Sequence, residues 1–479
     1  MIRNNKYKPK KKRFFTKNKN NEYSKFIRNK NKNKSDDYFQ FIDLNNNNKS
    51  SKYLFKYLLT YIILFIIIFF FIKFVYPKIY ENSDNNIEKV NNITLEELID
   101  KLNKNEYNRK PKYILLFDFF INKYCASIDA YYIFQYYQRN NISYAYYIIN
   151  DKSDLYNLLL MQNKTTNLIP VNNNDTWDIL YPYLLNSKII VQSYNFWEFN
   201  QILNKVNYLK FLKINHGIRY FKRLRYSDLG GLLRKKRNSI FSSPYEYELY
   251  KNKYIFKEEN MFKGGLPRYD RFQNIIKNET EKECILISFT YRQYNNDIYD
   301  NSLLKKNILQ LLNDESLISF LKEENIDLIY IQHHCDLYRN RVFSQDNFIY
   351  AQYKNPTFLE HYIEHCSLLV TDFSSISFDF IFQNKPALFY LIDYYERFNF
   401  NEKLYMKNFP QDPFVINNTF YDQNTLIEKV KYYVKRKFKI EDYLKKEYEN
   451  VFYYKKNITE RIVDIIDDII HKKSFLFFG

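Results

Sequence analysis

The order of apolar and polar residues divides the chain into a polar N-terminal tail, one long apolar segment and a region of short alternating runs. From residue 113 onwards, short runs rich in Ile, Leu, Val and aromatic side chains predict buried strands, and the amphipathic stretches between them predict helices. The predicted strands are Tyr113–Phe117, Ala145–Ile149, Lys188–Gln192, Tyr208–Ile214, Glu283–Phe289, Asp327–Ile331, Ser367–Val370 and Ala387–Ile392. The clearest predicted helices are Asp129–Tyr137, Leu303–Leu312 and Leu317–Glu324.

Strands that alternate with helices form parallel sheets covered on both faces. Two such series predict an α/β fold with two Rossmann-like lobes, residues 113–260 and 261–479, and the change of lobe falls between Tyr250 and Lys282. The residues after Thr425 have a helical pattern, and we expect them to close the second lobe. Ligands of such sheets bind beyond the carboxyl ends of the strands, so polar residues at these ends are the candidates for a site.

The long apolar segment, from Tyr57 to Tyr76, has the roughly 20 residues that a helix needs to cross a bilayer. We therefore predict a transmembrane helix over residues 54–76, in which Lys73 reaches the interface. A signal peptide has a shorter apolar region followed by small residues, which this segment lacks. Residues 1–53 carry 16 Lys and Arg against 4 Asp and Glu, and this basic tail favours the cytoplasmic side. The expected arrangement is a single-pass type II membrane protein.

The composition of the remaining chain excludes several classes of protein. The net charge is +19, but only about +5 of it follows Tyr76, so the globular region does not resemble a nucleic-acid-binding domain. We expect a disordered tail over 1–53 and a stem over 77–112 with a short helix at Leu95–Leu102. The four cysteines form no CxxC pair, and their scattered positions favour free thiols over a zinc site or a disulfide framework.

The strongest polar signal is the run from Val370 to Ser375, where a buried strand ends in a hydroxyl-rich turn before a helix. Ser374 or Ser375 fits the N-cap of that helix, and the same geometry fits a phosphate cradle. Asp379 lies near the start of the helix, where it would touch a ligand hydroxyl or orient the loop. Both the structural and the functional interpretation remain open at this point.

Two further signals contain histidine. His216 stands between Asn215 and Gly217 at the end of a predicted strand, which suits either a general base or a structural histidine. His333 and His334 end another strand, and without a carboxylate cluster at ligand spacing they favour phosphate over a metal. We predict no metal site and no cofactor.

In order, the chain shows NHG at 215–217, GLPRYD at 265–270, TYR at 290–292, HH at 333–334 and TDFSSISFDFIFQNKPALFYLID at 371–393. This series resembles the CDP-glycerol glycerophosphotransferase family, the teichoic-acid polymerases and primases. The resemblance implies a fold of the glycosyltransferase B type, with an acceptor-side first lobe and a second lobe that binds a CDP-polyol. It implies transfer of a polyol phosphate from the CDP-polyol to a hydroxyl of a glycan or glycolipid acceptor, with release of CMP.

The resemblance also implies roles for residues. His216 would be the general base and His333 would contact the donor phosphate, while Arg268 and Arg292 would neutralise charge near the pyrophosphate. Thr371, Ser374 and Ser375 would form the phosphate cradle, and Asp379 would support the donor. The same motifs supply the other predicted substrate-binding residues, which are Asn215, Gly217, Asp270, His334 and Asp372.

Departures from the family pattern fall mainly on the acceptor half, where IRYFK follows the HG pair instead of TPLK. HH replaces HP, so that either histidine would hold the phosphate role, and TYR replaces TWR. Two alternatives are a glycosyltransferase B enzyme that uses a nucleotide sugar and a non-catalytic membrane protein with the same fold. Seven Asn-x-Ser/Thr sequences after the apolar segment fit a glycoprotein in a lumenal location, although an Asn-rich chain contains such sequences by chance.

Overall fold

We describe a computed structural model of the chain. It describes residues 93–471, except for 119–128, 173–175, 194–196, 216, 222–237, 254–256, 275–281, 293–298, 334–348, 352–355 and 394–411. The predicted tail, the transmembrane helix 54–76 and the first part of the stem lie outside the described residues. Within the described part, no helix is both long and apolar enough to cross a membrane.

The strands are short and all of their pairings are parallel. They are β1 (Tyr113–Phe117), β2 (Ala145–Asn150), β3 (Leu168–Val171), β4 (Ser187–Gln192), β5 (Phe211–Lys213), β6 (Asn238–Phe241), β7 (Met261–Lys263), β8 (Cys284–Ile287), β9 (Asp327–Ile331), β10 (Ile349–Ala351), β11 (Leu368–Thr371), β12 (Ala387–Tyr390) and β13 (Thr419–Phe420).

The helices connect these strands and cover their faces. They are α1 (Leu95–Lys104), α2 (Asp129–Arg139), α3 (Asp154–Met161), α4 (Thr176–Leu185), α5 (Trp197–Lys205), α6 (Pro244–Lys253), α7 (Leu303–Leu312), α8 (Glu315–Glu323), α9 (Pro356–His365), α10 (Ser377–Phe382), α11 (Pro413–Ile416), α12 (Gln423–Lys435), α13 (Asp442–Asn450) and α14 (Ile458–His471). Three 3₁₀ helices span Glu106–Asn108, Glu258–Asn260 and Pro267–Asn274 within the described chain.

The described strands form two sheets, one in each lobe. The first has the order β3-β2-β1-β4-β5-β6-β7, and the second has the order β10-β9-β8-β11-β12-β13. The strand order reverses between β1 and β4 in the first sheet and between β8 and β11 in the second. In open α/β sheets, ligands bind in the crevice at such a reversal. The predicted α/β fold with two Rossmann-like lobes is confirmed.

The extent of the lobes differs from the predicted boundaries in two places. Helix α1 contributes buried Leu98 and Leu102 to the core of the first lobe, so part of the predicted stem is folded into that lobe. Strand β7 pairs with β6, which extends the first sheet three residues beyond position 260. Apolar side chains on one face of α1 explain the first difference, because they are buried where the helix packs against α4 and α5.

The C-terminal helix α14 returns to the first lobe instead of staying on the second. It packs against α2, β4 and the 3₁₀ helix Pro267–Asn274. The Lys210 ammonium donates to the carbonyls of Ile469 and Ile470 at 2.9 and 2.7 Å, which satisfies acceptors at the C-terminal end of the helix. One hydrophobic cluster therefore runs from the first sheet through the helices between the lobes to the second sheet.

A disulfide joins Cys284 in β8 to Cys366, which precedes β11. The expectation of free thiols was therefore wrong for this pair. The two strands pair in parallel, with Leu368 opposite Ile285, and this brings the two Cα atoms to 4.5 Å. Residues 82 positions apart meet because the sheet places their strands side by side, which the spacing of the cysteines does not reveal.

Candidate active site

The reversal point of the second sheet is built around the carboxylate of Asp372. One oxygen, Oδ1, accepts hydrogen bonds from the Thr290 amide at 2.9 Å and from the Thr290 hydroxyl at 2.7 Å. Thr290 follows β8 and Asp372 follows β11. The TYR segment and the TDFSS segment, which the sequence places 80 residues apart, are thus joined at the carboxyl ends of neighbouring strands.

Arg292 stabilises the same edge of the second sheet. Its guanidinium binds Asp372 Oδ2 at 2.6 Å, both carboxylate oxygens of Asp393 at 2.6 and 2.7 Å, and the Thr290 carbonyl at 2.5 Å. The side chain is only 3% exposed. Burial opposes the charged guanidinium, but Asp393 and Asp372 outweigh it, so that the pKa of Arg292 stays above its ordinary value. Arg292 therefore holds three loops together in this structure.

The hydroxyl-rich turn, residues 371–375, lies at the end of β11. The Thr371 hydroxyl donates to the Ser288 carbonyl at 2.5 Å and is buried in the strand pairing. Ser374 and Ser375 are half-buried, and the Ser374 hydroxyl lies 3.5 Å from the Ile376 amide. Ile376 occupies the N-cap position of α10, with no side-chain hydrogen bond in that place. The prediction that Ser374 or Ser375 is the N-cap of this helix is therefore wrong.

Gly217 brings the first lobe to this turn. A Cβ atom built on Gly217 would lie 2.7 Å from the Ser375 Cβ and closer still to its hydroxyl oxygen. No side chain fits at this position, so the glycine is needed for close approach of the two loops. The NHG segment after β5 and the TDFSS segment after β11 meet here.

Two aromatic residues extend the same contact into the second lobe. The Tyr220 ring lies 5.4 Å from that of Phe378 and 5.7 Å from that of Phe414, while the Phe221 ring lies 5.2 Å from that of Phe389. Such tilted and edge-to-face pairs add to the free energy of apolar burial. The loop after β5 is consequently attached to α10 and β12.

Glu246 in α6 fixes the backbone of this loop. Its carboxylate accepts hydrogen bonds from the Arg219 amide at 2.7 Å and from the Ser242 amide at 3.2 Å, and the side chain is fully buried. Burial raises the pKa of Glu246 to about 7, against the lowering effect of these two bonds. Sequence reasoning missed this residue.

Arg268 lies between the lobes. It donates to Asp379 of α10 through Nε at 2.7 Å and Nη2 at 3.2 Å, and to Asp129 of α2 through Nη1 at 2.6 Å. Its own backbone amide also donates to Asp129 at 3.2 Å. Although burial opposes its charge, the two carboxylates raise the pKa of Arg268 well above its ordinary value. The predicted donor-side residues Arg268 and Asp379 are thus bonded to each other.

Asp118 occupies the reversal point of the first sheet. It accepts hydrogen bonds from the amides of Ala130 and Tyr131 at 3.1 Å each, from the Tyr147 hydroxyl at 2.8 Å and from the Ser193 hydroxyl. Burial raises its pKa to about 7, opposed by the bond from Ser193 and assisted by nearby Asp129. Its signal was present in the sequence, since Asp118 directly follows a predicted strand.

The remaining predicted residues fall in different places. Asn215 is buried and its side chain lies 3.4 Å from the Ile240 carbonyl. Asp270 accepts from the amides of Ile458 and Thr459 at 2.9 and 2.7 Å, and so caps α14. His333 follows β9, and its ring stacks on that of Tyr291 with centroids 5.7 Å apart. His216 and His334 lie outside the described residues. Among the described residues, no group of three or more His, Cys, Asp or Glu side chains is placed to hold a metal ion.

A family model matches residues 102–468, which is most of the chain and includes the motif segments between 215 and 393. The family is described as CDP-Glycerol:Poly(glycerophosphate) glycerophosphotransferase. The chain belongs to this family. The resemblance drawn from the motifs is therefore confirmed.

Curated relatives come from Bacillus subtilis (strain 168). The minor teichoic acid biosynthesis protein GgaB is 28% identical over 397 residues, which cover 77% of this chain and 41% of GgaB. A teichoic acid glycerol-phosphate primase is 26% identical over 235 residues, which cover 44% of this chain and 57% of the primase. The chain thus spans about half the length of these two relatives.

Solved structures of the wall teichoic acid polymerase TagF share the fold. One TagF variant aligns with a TM-score of 0.57 at 16% identity and covers 82% of this chain and 98% of its own. Another, soaked with CDPG, aligns with a TM-score of 0.56 at 18% identity and covers 78% of this chain and 93% of its own. At these identities the likeness concerns the fold alone, and it agrees with the expected fold of the glycosyltransferase B type.

Proposed function

We propose that the chain is a membrane-anchored transferase that moves glycerol phosphate from CDP-glycerol to a hydroxyl group of a glycan or glycolipid acceptor. The contact between Gly217 and Ser375 carries this proposal. It joins the segment that would hold the acceptor base to the segment that would hold the donor phosphate, at the carboxyl ends of strands from both sheets. Membership of the glycerophosphotransferase family supports the choice of donor.

In the proposed reaction, the acceptor oxygen attacks the phosphorus that carries the glycerol. The new bond to this phosphorus forms as its bond to the bridging oxygen of CMP breaks, and CMP leaves with the bridging oxygen. His216 takes the proton of the acceptor hydroxyl. The hydroxyls of Ser374 and Ser375 and the ring of His333 would hold the donor phosphates in place, which stabilises charge on the transferred group.

The proposed location is a membrane, with the helix over 54–76 as a type II anchor. The disulfide between Cys284 and Cys366 supports a position of the catalytic domain in an oxidising compartment. In a eukaryotic cell this would be a lumenal domain of the Golgi type, supplied with its donor by a transporter. A domain on the cytoplasmic face would instead contain reduced thiols, which mass spectrometry of the alkylated protein distinguishes.

A donor screen tests the function. Full-length protein in detergent is supplied with a glycolipid acceptor and with CDP-glycerol, CDP-ribitol or a nucleotide sugar, and release of CMP or of the corresponding nucleotide is measured. We expect CMP from CDP-glycerol and no such release by the His216→Ala variant. Turnover with a nucleotide sugar alone would reject the proposal in favour of a glycosyltransferase, and no turnover with any donor would favour a non-catalytic role.

A further inference from the structure

We infer that Arg268 is a positioning residue that sets the spacing between the two lobes, and that it does not bind the donor phosphate. This inference rests on the proposed function. Arg268 lies in the segment that connects the two sheets, after β7 and before β8. Its side chain contacts the first turn of one helix in each lobe, α2 and α10.

The guanidinium is committed to two carboxylates. Nε and Nη2 form a bidentate pair with Asp379, and Nη1 binds Asp129 at 2.6 Å. A planar guanidinium presents its donors in fixed directions, so a side chain that is bidentate on one carboxylate and bonded to a second has little freedom to turn towards a ligand. Arg268 is 11% exposed, and the two carboxylates are 0% and 3% exposed.

Each carboxylate is fixed within its own lobe. Asp129 begins α2, and Asp118 at the reversal point of the first sheet accepts the next two amides of that helix. Asp379 lies four residues after Ser375 in α10, and its carbonyl accepts from the Gln383 side chain at 2.9 Å. The two reversal points are therefore linked through one side chain, from Asp118 through α2 and Arg268 to α10.

The consequence for catalysis concerns distance. The donor would be bound by the second lobe and the acceptor base by the first, so each half-site would remain intact if the lobes separated slightly. The reacting atoms would then be misplaced, and a displacement of about 1 Å at a reacting centre costs on the order of a hundredfold in rate. A residue that binds the donor phosphate would behave differently, because its replacement weakens the binding of the donor.

Asp129→Asn separates these roles, since it removes the negative charge that holds Arg268 to the first lobe and leaves Arg268 in place beside the second. We would measure kcat, the KM for each substrate and the Kd for CDP-glycerol in the full-length protein for Asp129→Asn, Arg268→Ala, Arg268→Lys and the double variant of the first two. Lys251→Ala is the control, because it breaks the exposed pair with Glu258, in which the side chains are 42% and 64% exposed.

We expect kcat to fall at least tenfold in Asp129→Asn and further in Arg268→Ala, with a Kd for CDP-glycerol within threefold of the parent protein. The double variant should be no slower than Arg268→Ala alone, because both changes remove the same link. Arg268→Lys should recover part of kcat, since one ammonium keeps the charge but not the bidentate pair. Lys251→Ala should keep the parent values.

Two kinetic results would overturn the inference. A Kd for CDP-glycerol that rises tenfold or more in Arg268→Ala but not in Asp129→Asn would make Arg268 a donor ligand. A parent-like kcat in Asp129→Asn, with only a lower melting temperature, would make the link merely structural. If the parent protein shows no transfer from CDP-glycerol, the proposed function fails on its own. Amide hydrogen exchange then tests the link between the lobes without any turnover. Asp129→Asn in the first lobe should speed amide exchange in α10 of the second lobe, and unchanged exchange there would reject the link.

Discussion

At the scale of single residues, the two lobes meet at a glycine of the first lobe, Gly217. Gly217 leaves room for Ser375, and every other residue type places a Cβ within 2.7 Å of the Ser375 Cβ. Real structures almost never contain so short a separation between carbon atoms that are not bonded. One of the two loops must therefore move if Gly217 is replaced.

We expect Gly217→Ala to lower kcat at least tenfold while the protein stays folded, because the loops that carry the proposed base and cradle separate. CMP release and a melting curve measure the two effects. The double variant Gly217→Ala/Ser375→Gly removes the obstructing side chain, and it is compared with Ser375→Gly alone. Equal rates for these two proteins would show that the first change acts by steric exclusion, whereas a slower double variant would contradict this.

Glu246 gives a prediction for pH dependence. Its pKa is raised to about 7 by burial, so the folded protein holds this proton more tightly than the unfolded chain does. The unfolded state is then the less protonated one from about pH 4.5 to pH 7, and the free energy of unfolding falls as pH rises through this interval. Above pH 7 this contribution no longer changes.

Glu246→Gln removes the titrating group, so we expect a shallower decline in stability between pH 5 and pH 7. The slope should decrease by up to about 1.4 kcal/mol per pH unit, the value for one proton. Urea unfolding at several pH values measures it, with Glu248→Gln on the same helix as the control. Asp118 and Glu360 titrate in the same direction and leave a residual slope. An unchanged slope in Glu246→Gln would show that this carboxyl is charged in the folded state throughout.

At the scale of elements, α14 is seated closely against Gly265, where a Cβ would lie 2.9 Å from the Ile458 Cγ2. The neighbouring Gly264 is instead close to strand β6, since a Cβ there would lie 2.7 Å from the Ile240 Cγ2. The chain contains only six glycines, and these two let the connection to the second lobe approach both β6 and α14 closely.

Gly265→Ala should lower the free energy of unfolding by about 1–3 kcal/mol, because overpacking forces Ile458 and the start of α14 to move. Chemical denaturation of the purified protein measures the change. The double variant Gly265→Ala/Ile458→Ala is the matched test, since it removes the Cγ2, Cδ1 and Cγ1 atoms that the new methyl group meets, and it is compared with Ile458→Ala alone. If Gly265→Ala costs as much stability in the Ile458→Ala background as in the parent protein, the backbone at 265, and not the contact with α14, is responsible.

The sequence predicted the central elements better than the peripheral ones. Strands such as β1, β9 and β12 are continuous apolar runs, because both of their faces are buried. Strands β3, β6 and β7 were missed, since LIPV, NSIF and MFK are short and contain Pro or polar residues. Strands β3 and β7 lie at the edges of the sheet, where such residues are permitted. Length and composition alone do not separate such segments from loops.

In the candidate site, the residues that could be proposed from the sequence likewise differ from those that could not. The motif residues that follow strands could be proposed from the sequence, because a polar residue after an apolar run is visible locally. Asp129 and Glu246 were missed as site residues, since their importance comes from Arg268, 139 positions from Asp129, and from Arg219, 27 positions from Glu246. Arg268 itself was assigned to the pyrophosphate because the sequence does not show that two carboxylates already surround it.

At the scale of the whole molecule, the described domain follows a segment whose role is still a prediction. We expect the full-length protein to stay in the membrane pellet after alkaline carbonate extraction. The variant Ile66→Lys/Phe69→Lys should move to the supernatant, because each charge near the middle of a membrane helix costs about 2.5–3.5 kcal/mol of insertion free energy. Fractionation followed by immunoblotting measures both. Retention of the variant in the pellet would show that another part of the chain binds the membrane.

The return of α14 to the first lobe also determines the order of events during synthesis. Sheet strands of the first lobe are complete by residue 263, yet the helix that covers one of their faces ends at His471. About two hundred residues must emerge before that face is closed, and the second lobe forms in the interval. Until the final helix arrives, the nascent first lobe therefore lacks the packing of α14 against β4 and α2. A ribosome that stalls within the second lobe would present this surface to chaperones, so quality control can act on an unfinished chain before its fold is closed.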